Sequence, residues 1–212
     1  MGVSRLKNKE RLINFIHEEN TESSVVIALE MLESKEVTVV TLYEDILREA
    51  LYRIDCAELD KECIWREHIK TAIVRTIIEV SYPYVIKELK NVTTNNKKII
   101  VVCPSEEYHE IGARMAHNFF TLKGYNSTFI GANTPKSVIL DAIKYLNPDY
   151  VAISVTNFYN VIKAKRIIES IKEKNPNITV LAGGQAFSDN KALQTVGADF
   201  HVTTFDSIED IT

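Results

Sequence analysis

The stretch KKIIVVCPSEEYHEIG, residues 97–112, decides the fold class. Its apolar run from Ile99 to Cys103 does not alternate with polar residues, which is typical of a parallel strand covered on both faces. The run ends in an acidic loop that contains His109, and a helix is predicted from about Glu110. Parallel sheets bind ligands at the carboxyl ends of their strands. We therefore expect His109 at the ligand-binding edge of an α/β sheet.

Short β-rich runs alternate with helices through the rest of the chain. The predicted strands are KKIIVVC, STFIG, YVAISV, ITVLAG and DFHVT, and helices are predicted at about residues 110–123, 135–146, 159–174 and near residue 192. This alternation is typical of βαβ units. The pattern predicts an α/β fold with a flavodoxin-like, doubly wound sheet of five parallel strands. Its ligand-facing loops would be residues 104–109, 131–134, 156–159 and 183–187.

The first 90 residues have a different rhythm, with apolar residues at helical spacing. Four helices are predicted, with breaks near Asn20, near Ser34 and over residues 56–61, while Pro83 limits how the last helix ends. Each helix has one apolar stripe, which favours a four-helix bundle. We therefore predict a helical bundle over residues 1–90, a linker over residues 91–97 and an α/β domain over residues 98–212.

Composition narrows the class of protein. Of the 212 residues 45% are hydrophobic and 25% charged, and the formal net charge is −4, which indicates a globular protein with no general attraction to nucleic acid. No apolar run approaches the roughly 20 residues that span a bilayer, and the polar opening lacks a secretory core. We expect a cytoplasmic protein whose three cysteines are reduced, packed thiols.

The loop around His109 does not suit two common uses of this fold. A phosphate cradle needs several glycines in the turn, whereas this loop carries Glu106, Glu107 and Glu110. Response-regulator chemistry needs an aspartate at the end of the third strand, which here ends in Ser154-Val155-Thr156. A solvated or helix-capping histidine stays possible. Alternatively His109 binds a metal, since such histidines usually give their second ring N–H to a carboxylate.

Three separated motifs resemble those of cobalamin-binding domains. Glu107-x-His109-x-x-Gly112 resembles the D/E-x-H-x-x-G signature of that family, and the other two matches follow in the same order, namely Ser154-Val155-Thr156 after the third strand and Gly183-Gly184 after the fourth. The combination is more specific than any single motif. The resemblance covers both halves of the chain, because a four-helix bundle commonly precedes this domain and covers the upper face of the corrin.

The resemblance implies a role for each matching residue. His109 would replace the dimethylbenzimidazole base as the lower axial ligand of cobalt, and either Glu107 or Glu110 could be the carboxylate that accepts its second ring N–H. The displaced nucleotide tail would enter a cleft whose expected residues are Ser154, Thr156, Gly183 and Gly184. The cofactor would be cobalamin in its adenosyl or methyl form. Haem is an alternative, with His17, His68, His109 or His117 as ligands, but it explains fewer residues.

The helical half resembles the adenosylcobalamin light sensors in particular. Glu67-His68 followed by Thr71-Ala72 is similar to the E-H-x-x-T-A stretch that those sensors place over the upper ligand, and GANTP, residues 131–135, is similar to their sequence after the second strand. Where the sensors carry a tryptophan ten residues before the glutamate, this chain has Ala57. Trp65 lies near His68 on the same helical face and could partly fill that space, or could be a core residue.

These resemblances imply a sensor or regulatory protein, with light as a candidate trigger, rather than an enzyme with catalytic residues of its own. No helix-turn-helix is identifiable, so transcription would be controlled through a protein partner without direct contact with nucleic acid. A homo-oligomer is possible, and no membrane contact is expected. The alternative is a corrinoid methyl carrier that serves separate methyltransferases.

Overall fold

The computed structural model describes residues 2–54, 61–188 and 190–211. The chain forms two compact units, Met1–Lys90 and Asn91–Thr212. The predicted break over residues 56–61 lies almost entirely outside the described residues, as do Cys56 and Ala57. No helix in the described ranges combines the length and apolar character needed to cross a membrane.

The first unit is helical, as predicted. Its helices are α1 (Gly2–His17), α2 (Thr21–Glu33), α3 (Val39–Thr41), α4 (Arg48–Tyr52) and α5 (Lys61–Leu89). Asn20 begins α2 by accepting a hydrogen bond from the Ser23 N–H at 2.9 Å, and Thr38 begins α3 in the same way. The predicted third helix is continuous but contains a π-helical segment, Leu42–Leu47, between α3 and α4. Pro83 lies within α5.

Apolar stripes of these helices form the core of the first unit. Fully buried side chains include Leu12, Ile16, Met31, Leu42, Ile46, Leu47 and Ile77. The hydroxyl of the buried Tyr43 lies 2.8 Å from Ser81 Oγ, which satisfies both polar groups in the core. Val26 is apolar but 54% exposed, because the buried positions of α2 fall on the opposite face of the helix.

The second unit contains the predicted sheet. Within the described residues five parallel strands run in the order β2-β1-β3-β4-β5, namely β1 (Lys98–Pro104), β2 (Asn126–Thr134), β3 (Tyr150–Ser154), β4 (Thr179–Gly183) and β5 (Phe200–Val202). The crossovers are α6 (Ile111–Leu122), α7 (Lys136–Leu146), α8 (Val161–Lys174) and α9 (Asn190–Val196). The predicted doubly wound fold is confirmed.

Burial on both faces explains the continuous apolar runs. Side chains of α7, α8 and α9 share a core with alternate residues of the central strands, among them Ile100, Val151 and Val180. The other face of the sheet packs against α6. Cys103, at the end of β1, is a buried free thiol, and burial raises its pKa to about 12. This cysteine is packed and reduced, as predicted.

Two differences from the predicted elements lie at the carboxyl edge of the sheet. Residues 131–134, predicted as a loop, form the end of β2, where shifts in register keep Val102 paired with Gly131 and Pro104 with Thr134. The helix predicted from residue 159 begins with a 3₁₀ turn, Phe158–Asn160, before α8. Both differences arise because the ends of these segments are tied to the loop that contains His109.

Candidate functional site

The loop after β1 is held by the end of β2. Glu106 has a left-handed φ of 65°, and its N–H donates to Asn133 Oδ1 at 2.8 Å. The N–H of Asn133 in turn donates to the carbonyl of Glu107 at 2.9 Å. A turn closed by the Glu107 N–H and the Pro104 carbonyl at 3.0 Å completes the loop. The backbone of this loop is thus fixed both by the end of β2 and by its own turn.

The carboxylate of Glu107 is completely buried and joins two loops. Its Oε1 accepts from the backbone N–H of His109 at 3.1 Å and lies 2.5 Å from Nδ1 of the same residue. Its Oε2 accepts from the N–H groups of Thr156 and Asn157 at 3.0 and 2.9 Å. Asn160 Nδ2 also donates to Oε2, at 3.2 Å. One oxygen therefore positions the histidine while the other holds the loop after β3.

Electrostatics at Glu107 favour the charged form. Burial by itself would raise the pKa of this carboxyl group, but hydrogen bonds from the His109 ring, the Asn157 N–H, the His109 N–H and the Asn160 amide outweigh burial and lower the pKa to about 2. The site therefore holds a buried carboxylate anion at neutral pH. An anion in this position favours a hydrogen or a positive charge on the imidazole that faces it.

The contact with Glu107 fixes the position of the His109 ring. Because the carboxylate can only accept, Nδ1 carries the hydrogen in their contact, and the lone pair of the neutral ring lies on Nε2. The His109 side chain is 53% exposed although its carboxylate partner is buried. The contact fixes a hydrogen on Nδ1, so that the neutral form of the ring would present its Nε2 lone pair at the carboxyl edge of the sheet.

The other predicted motifs lie on the neighbouring strands. Ser154, which is buried, pairs with Gly183 in the sheet register, and the N–H of Val155 donates to the Gly183 carbonyl at 2.9 Å. Gly184 has a φ of 101°, and a Cβ there would lie 2.3 Å from the Val155 carbonyl oxygen. The fold itself thus requires glycine at Gly184, because two backbone segments approach each other closely.

Gly112 presents the opposite case. It lies in the first turn of α6, and a Cβ at this position would meet nothing within 4 Å in the described part of the chain. Glycine in a helix costs about 0.5–1 kcal/mol relative to alanine. No contact within the fold explains this cost, and the open space is compatible with the close approach of a ligand.

Exposed aromatic side chains accompany the site. Tyr108 is 65% exposed on the loop after β1, and Phe158 and Tyr159 are 60% and 85% exposed on the loop after β3. The two loops are the ones that Glu107 joins. Apolar surface of this kind, concentrated at a ligand-binding edge, is typical of a binding surface.

Several residues that hold the site were not identified from the sequence. Asn160 is buried and donates to both the Glu106 carbonyl and the Glu107 carboxylate, while its Oδ1 accepts from Lys163. Asn133 holds the preceding loop. The one sequence signal for these two residues was that asparagine between a strand and a helix indicates a turn. The specific partner in each case becomes apparent only in the folded chain.

The candidate residues of the helical unit lie on α5. Trp65 is 50% exposed and His68 is exposed, and Ile69 on the same side of the helix is 37% exposed. Glu67 is half-buried. Trp65 is therefore not a core residue, and the Arg66 guanidinium lies 5.9 Å from its ring centroid. Ala57, the position that departs from the light sensors, lies outside the described residues.

The remaining histidines have different surroundings. His117 Nδ1 lies 2.9 Å from Ser127 Oγ, and burial lowers the pKa of its ring. His17 Nε2 lies 3.1 Å from the Ala50 carbonyl oxygen. The described residues include no cluster of three or more His, Cys, Asp or Glu side chains that could hold a metal ion. His109 is the histidine whose ring contacts a buried carboxylate, so its chemistry fits a metal centre that needs one imidazole ligand.

Comparison with known proteins identifies the family of the second unit. Residues 97–207 match the family model described as "B12 binding domain". A curated relative is the HTH-type transcriptional repressor CarA of Myxococcus xanthus, which is 25% identical over 156 residues, or 73% of this chain and 50% of the repressor. The chain thus spans half the length of that relative.

Solved structures share the fold. The Methanosarcina barkeri monomethylamine corrinoid protein superposes with a TM-score of 0.76 at 16% identity, with 94% of each chain covered. The methanol:cobalamin methyltransferase complex MtaBC from the same organism gives a TM-score of 0.51 at 15% identity, with 96% of this chain and 77% of that chain covered. At these identities the likeness concerns the fold alone.

Proposed function

The chain belongs to the B12-binding domain family, its cofactor is cobalamin, and from this premise we propose that His109 is the lower axial ligand of cobalt. The observation that carries the proposal is the 2.5 Å contact between His109 Nδ1 and the buried Glu107 carboxylate. This contact assigns the ligating lone pair to Nε2 and raises the basicity of the ring. The cofactor would then bind base-off, with its own base displaced by the imidazole.

Further residues have proposed roles in holding the cofactor. Ser154, Thr156, Gly183 and Gly184 are proposed to line the cleft for the nucleotide tail. Gly112 is proposed to allow close approach of the corrin. We propose residues 1–90 as the helical cap, with Trp65, Glu67 and His68 toward the upper ligand, residues 91–97 as the linker and residues 98–212 as the cobalamin domain. No residue of this chain is proposed to be catalytic.

We propose that the chain acts as a regulatory protein through a protein partner. When bound, cobalamin supplies a cobalt centre whose upper ligand can be lost or exchanged. Such a loss would change the contacts of the helical unit and bias a partner-binding surface or the assembly state of the chain. The match to a transcriptional repressor supports this role. The net charge of −4 favours a protein partner over direct nucleic acid contact.

The second candidate function is a corrinoid methyl carrier that delivers methyl groups between separate methyltransferases. The observation in its favour is the fold likeness to the monomethylamine corrinoid protein over 94% of both chains. A carrier accepts a methyl group from a cognate enzyme in the dark. A light-responsive regulator instead loses its alkyl ligand under illumination and changes assembly state.

Reconstitution tests the ligand and the role together. The purified chain is incubated in the dark with adenosyl-, methyl- or hydroxocobalamin, and its absorption spectrum and size are recorded before and after illumination. We expect the parent to show an imidazole-ligated spectrum and His109→Ala to lose it. His117→Gln, which changes a histidine on α6 of the same unit, is the control and should match the parent. A His109→Ala variant that binds and absorbs like the parent would remove the ligand assignment.

A further inference from the structure

A small basic cavity in the second unit has no role in the proposed cobalamin site. Its volume is about 230 Å³, and its walls are formed by Ser105, Lys136, Lys163, Arg166 and Ile167. These residues come from the loop after β1, the start of α7 and the first turns of α8. Four of the five side chains are polar, and three of them are cations.

The positive charge of this cavity is only partly neutralised. Lys163 Nζ lies 2.6 Å from Glu106 Oε2 and also donates to Asn160 Oδ1 at 3.1 Å. Lys136 Nζ lies 3.4 Å from the hydroxyl of Ser170. In the described ranges no carboxylate pairs with Lys136 or Arg166. Three cations therefore share one carboxylate, in a chain whose net charge is −4.

Size and chemistry together select the ligand class. Pockets for organic ligands usually measure about 300–1,000 Å³, whereas this cavity is smaller and three of its five wall residues are cations. Arginine binds tetrahedral oxyanions through two parallel N–H groups, lysine adds a point charge and serine a hydroxyl donor. We propose that this cavity binds a phosphate-class oxyanion, either free or as the phosphoryl group of a small ester.

Anion binding at this cavity would affect the loop that carries His109. Lys163 is shared, because the same ammonium group contacts the cavity, Glu106 and Asn160. Asn160 donates to the Glu107 carboxylate that positions His109. An anion that attracts Lys163 away from Glu106 therefore perturbs the loop that carries the histidine. The anion site itself does not rest on cobalamin binding.

The test is an NMR titration of the cofactor-free chain, residues 1–212, with inorganic phosphate, at an ionic strength held constant with sodium chloride. We expect saturable shifts of the Ser105, Lys136 and Arg166 amides, and smaller shifts at His109. The double variant Lys136→Gln, Arg166→Gln should weaken binding at least about ten-fold, because it removes two charge-assisted contacts. Both side chains are exposed, so the variant is expected to fold.

A matched control removes the same charge elsewhere. The control is the double variant Lys165→Gln, Lys174→Gln, which removes two cations of α8 that do not line the cavity. Its phosphate titration should give the same shifts and affinity as the parent. A parallel titration with glycerol 3-phosphate distinguishes a free anion from a small ester, and saturation by either supports the site. Shifts that never saturate, equal responses of the parent and the Lys136/Arg166 variant, or binding of an acidic peptide without binding of phosphate would each overturn it.

The cobalamin and anion hypotheses fail independently. A chain that binds phosphate but gives no cobalamin spectrum retains the anion site and loses the proposed function. A chain that binds cobalamin through His109 but shows no saturable phosphate shifts retains the function and loses the anion site. Repeating the phosphate titration on the cobalamin-loaded chain then measures the coupling through Lys163.

Discussion

Two carboxylates tie neighbouring segments together at opposite edges of the same sheet. Glu107, at the carboxyl edge, accepts backbone hydrogen bonds from the loop after β3. Asp149, at the amino edge, accepts from the Lys98 N–H of β1 at 2.9 Å and contacts Lys97 Nζ at 3.1 Å. Glu107 joins two loops and Asp149 joins a loop to a strand, so both carboxylates hold neighbouring segments together.

Their surroundings are not alike. The Asp149 side chain is 38% exposed and is neutralised by a lysine, and the Lys98 N–H lowers its pKa against a smaller effect of burial. Glu107 is completely buried, and its ring partner is His109. Burying a charge is costly unless hydrogen bonds compensate it. The amino edge shows that a half-buried aspartate is sufficient for anchoring, and we infer that the complete burial of Glu107 serves its contact with His109.

Removal of Glu107 should have the largest effect. Glu107→Ala leaves four buried or half-buried N–H donors and the His109 ring without their acceptor. We expect the second unit to lose about 3–5 kcal/mol of stability. Hydrogen exchange of the β3 amides in increasing urea measures this loss. Trp65, the single tryptophan, belongs to the other unit, so the β3 amides are the direct probe of the second unit.

The matched control is the neighbouring carboxylate. Glu106 has a 72% exposed side chain and pairs with Lys163, so Glu106→Ala should cost less than about 1 kcal/mol. If Glu107→Ala and Glu106→Ala lose the same free energy of unfolding, the contrast between the buried and the exposed carboxylate is wrong.

Asn160→Ala should have an intermediate effect. The substitution removes one donor to Glu107 Oε2 and one to the Glu106 carbonyl, and we expect a loss of about 1–2 kcal/mol. The ¹⁵N shifts of the His109 ring should also change, because the carboxylate is less firmly held. Asn157→Ala is the comparison, since the Asn157 side chain caps the 158–160 turn while its backbone N–H still reaches Glu107. Unchanged His109 ring shifts in Asn160→Ala would contradict the expectation.

Asp149→Asn should have a smaller effect that depends on pH. Because the folded-state pKa of Asp149 is lowered, its charge stabilises the fold above the unfolded-state pKa, about 3.9. That contribution declines as the pH falls through this value toward the folded-state pKa. The variant should lose less than about 1 kcal/mol at neutral pH. Urea midpoints of parent and variant should converge on acidification, and a difference that stays constant in acid would contradict the assignment.

Gly112→Ala should have the smallest effect on stability and a clear effect on binding. Its Cβ meets no atom of the described chain, so stability should stay the same or rise by up to about 1 kcal/mol. Cobalamin affinity, measured by absorption titration, should fall if the corrin approaches this turn closely. Gly184→Ala is the contrasting control. Its Cβ would collide with the Val155 carbonyl oxygen, so this variant should lower the stability of the second unit even without cobalamin. Unchanged affinity in Gly112→Ala would remove Gly112 from the proposed site.

Much of the fold was predictable because its signals are local. The apolar run of β1 and the helical spacing of α6, α7 and α8 each depend on residues within one element. The Glu107-x-His109 pair was predictable for the same reason, since its contact spans two residues. The extension of β2 and the π-helical segment before α4 were not predicted, because register shifts and wider turns follow from packing.

The amino-acid sequence by itself determined the βα alternation, the helical half and the histidine beside its carboxylate. Only the tertiary structure decided which groups hold that carboxylate: Asn160 lies 53 residues from Glu107 in sequence, and Asn133 fixes the same loop from β2. The tertiary structure also decided which glycine the fold requires, since Gly184 meets the Val155 backbone and Gly112 meets open space. The physical reason is that periodicity is a property of a single element, whereas burial, hydrogen-bond partners and close backbone approach exist only between elements that have packed.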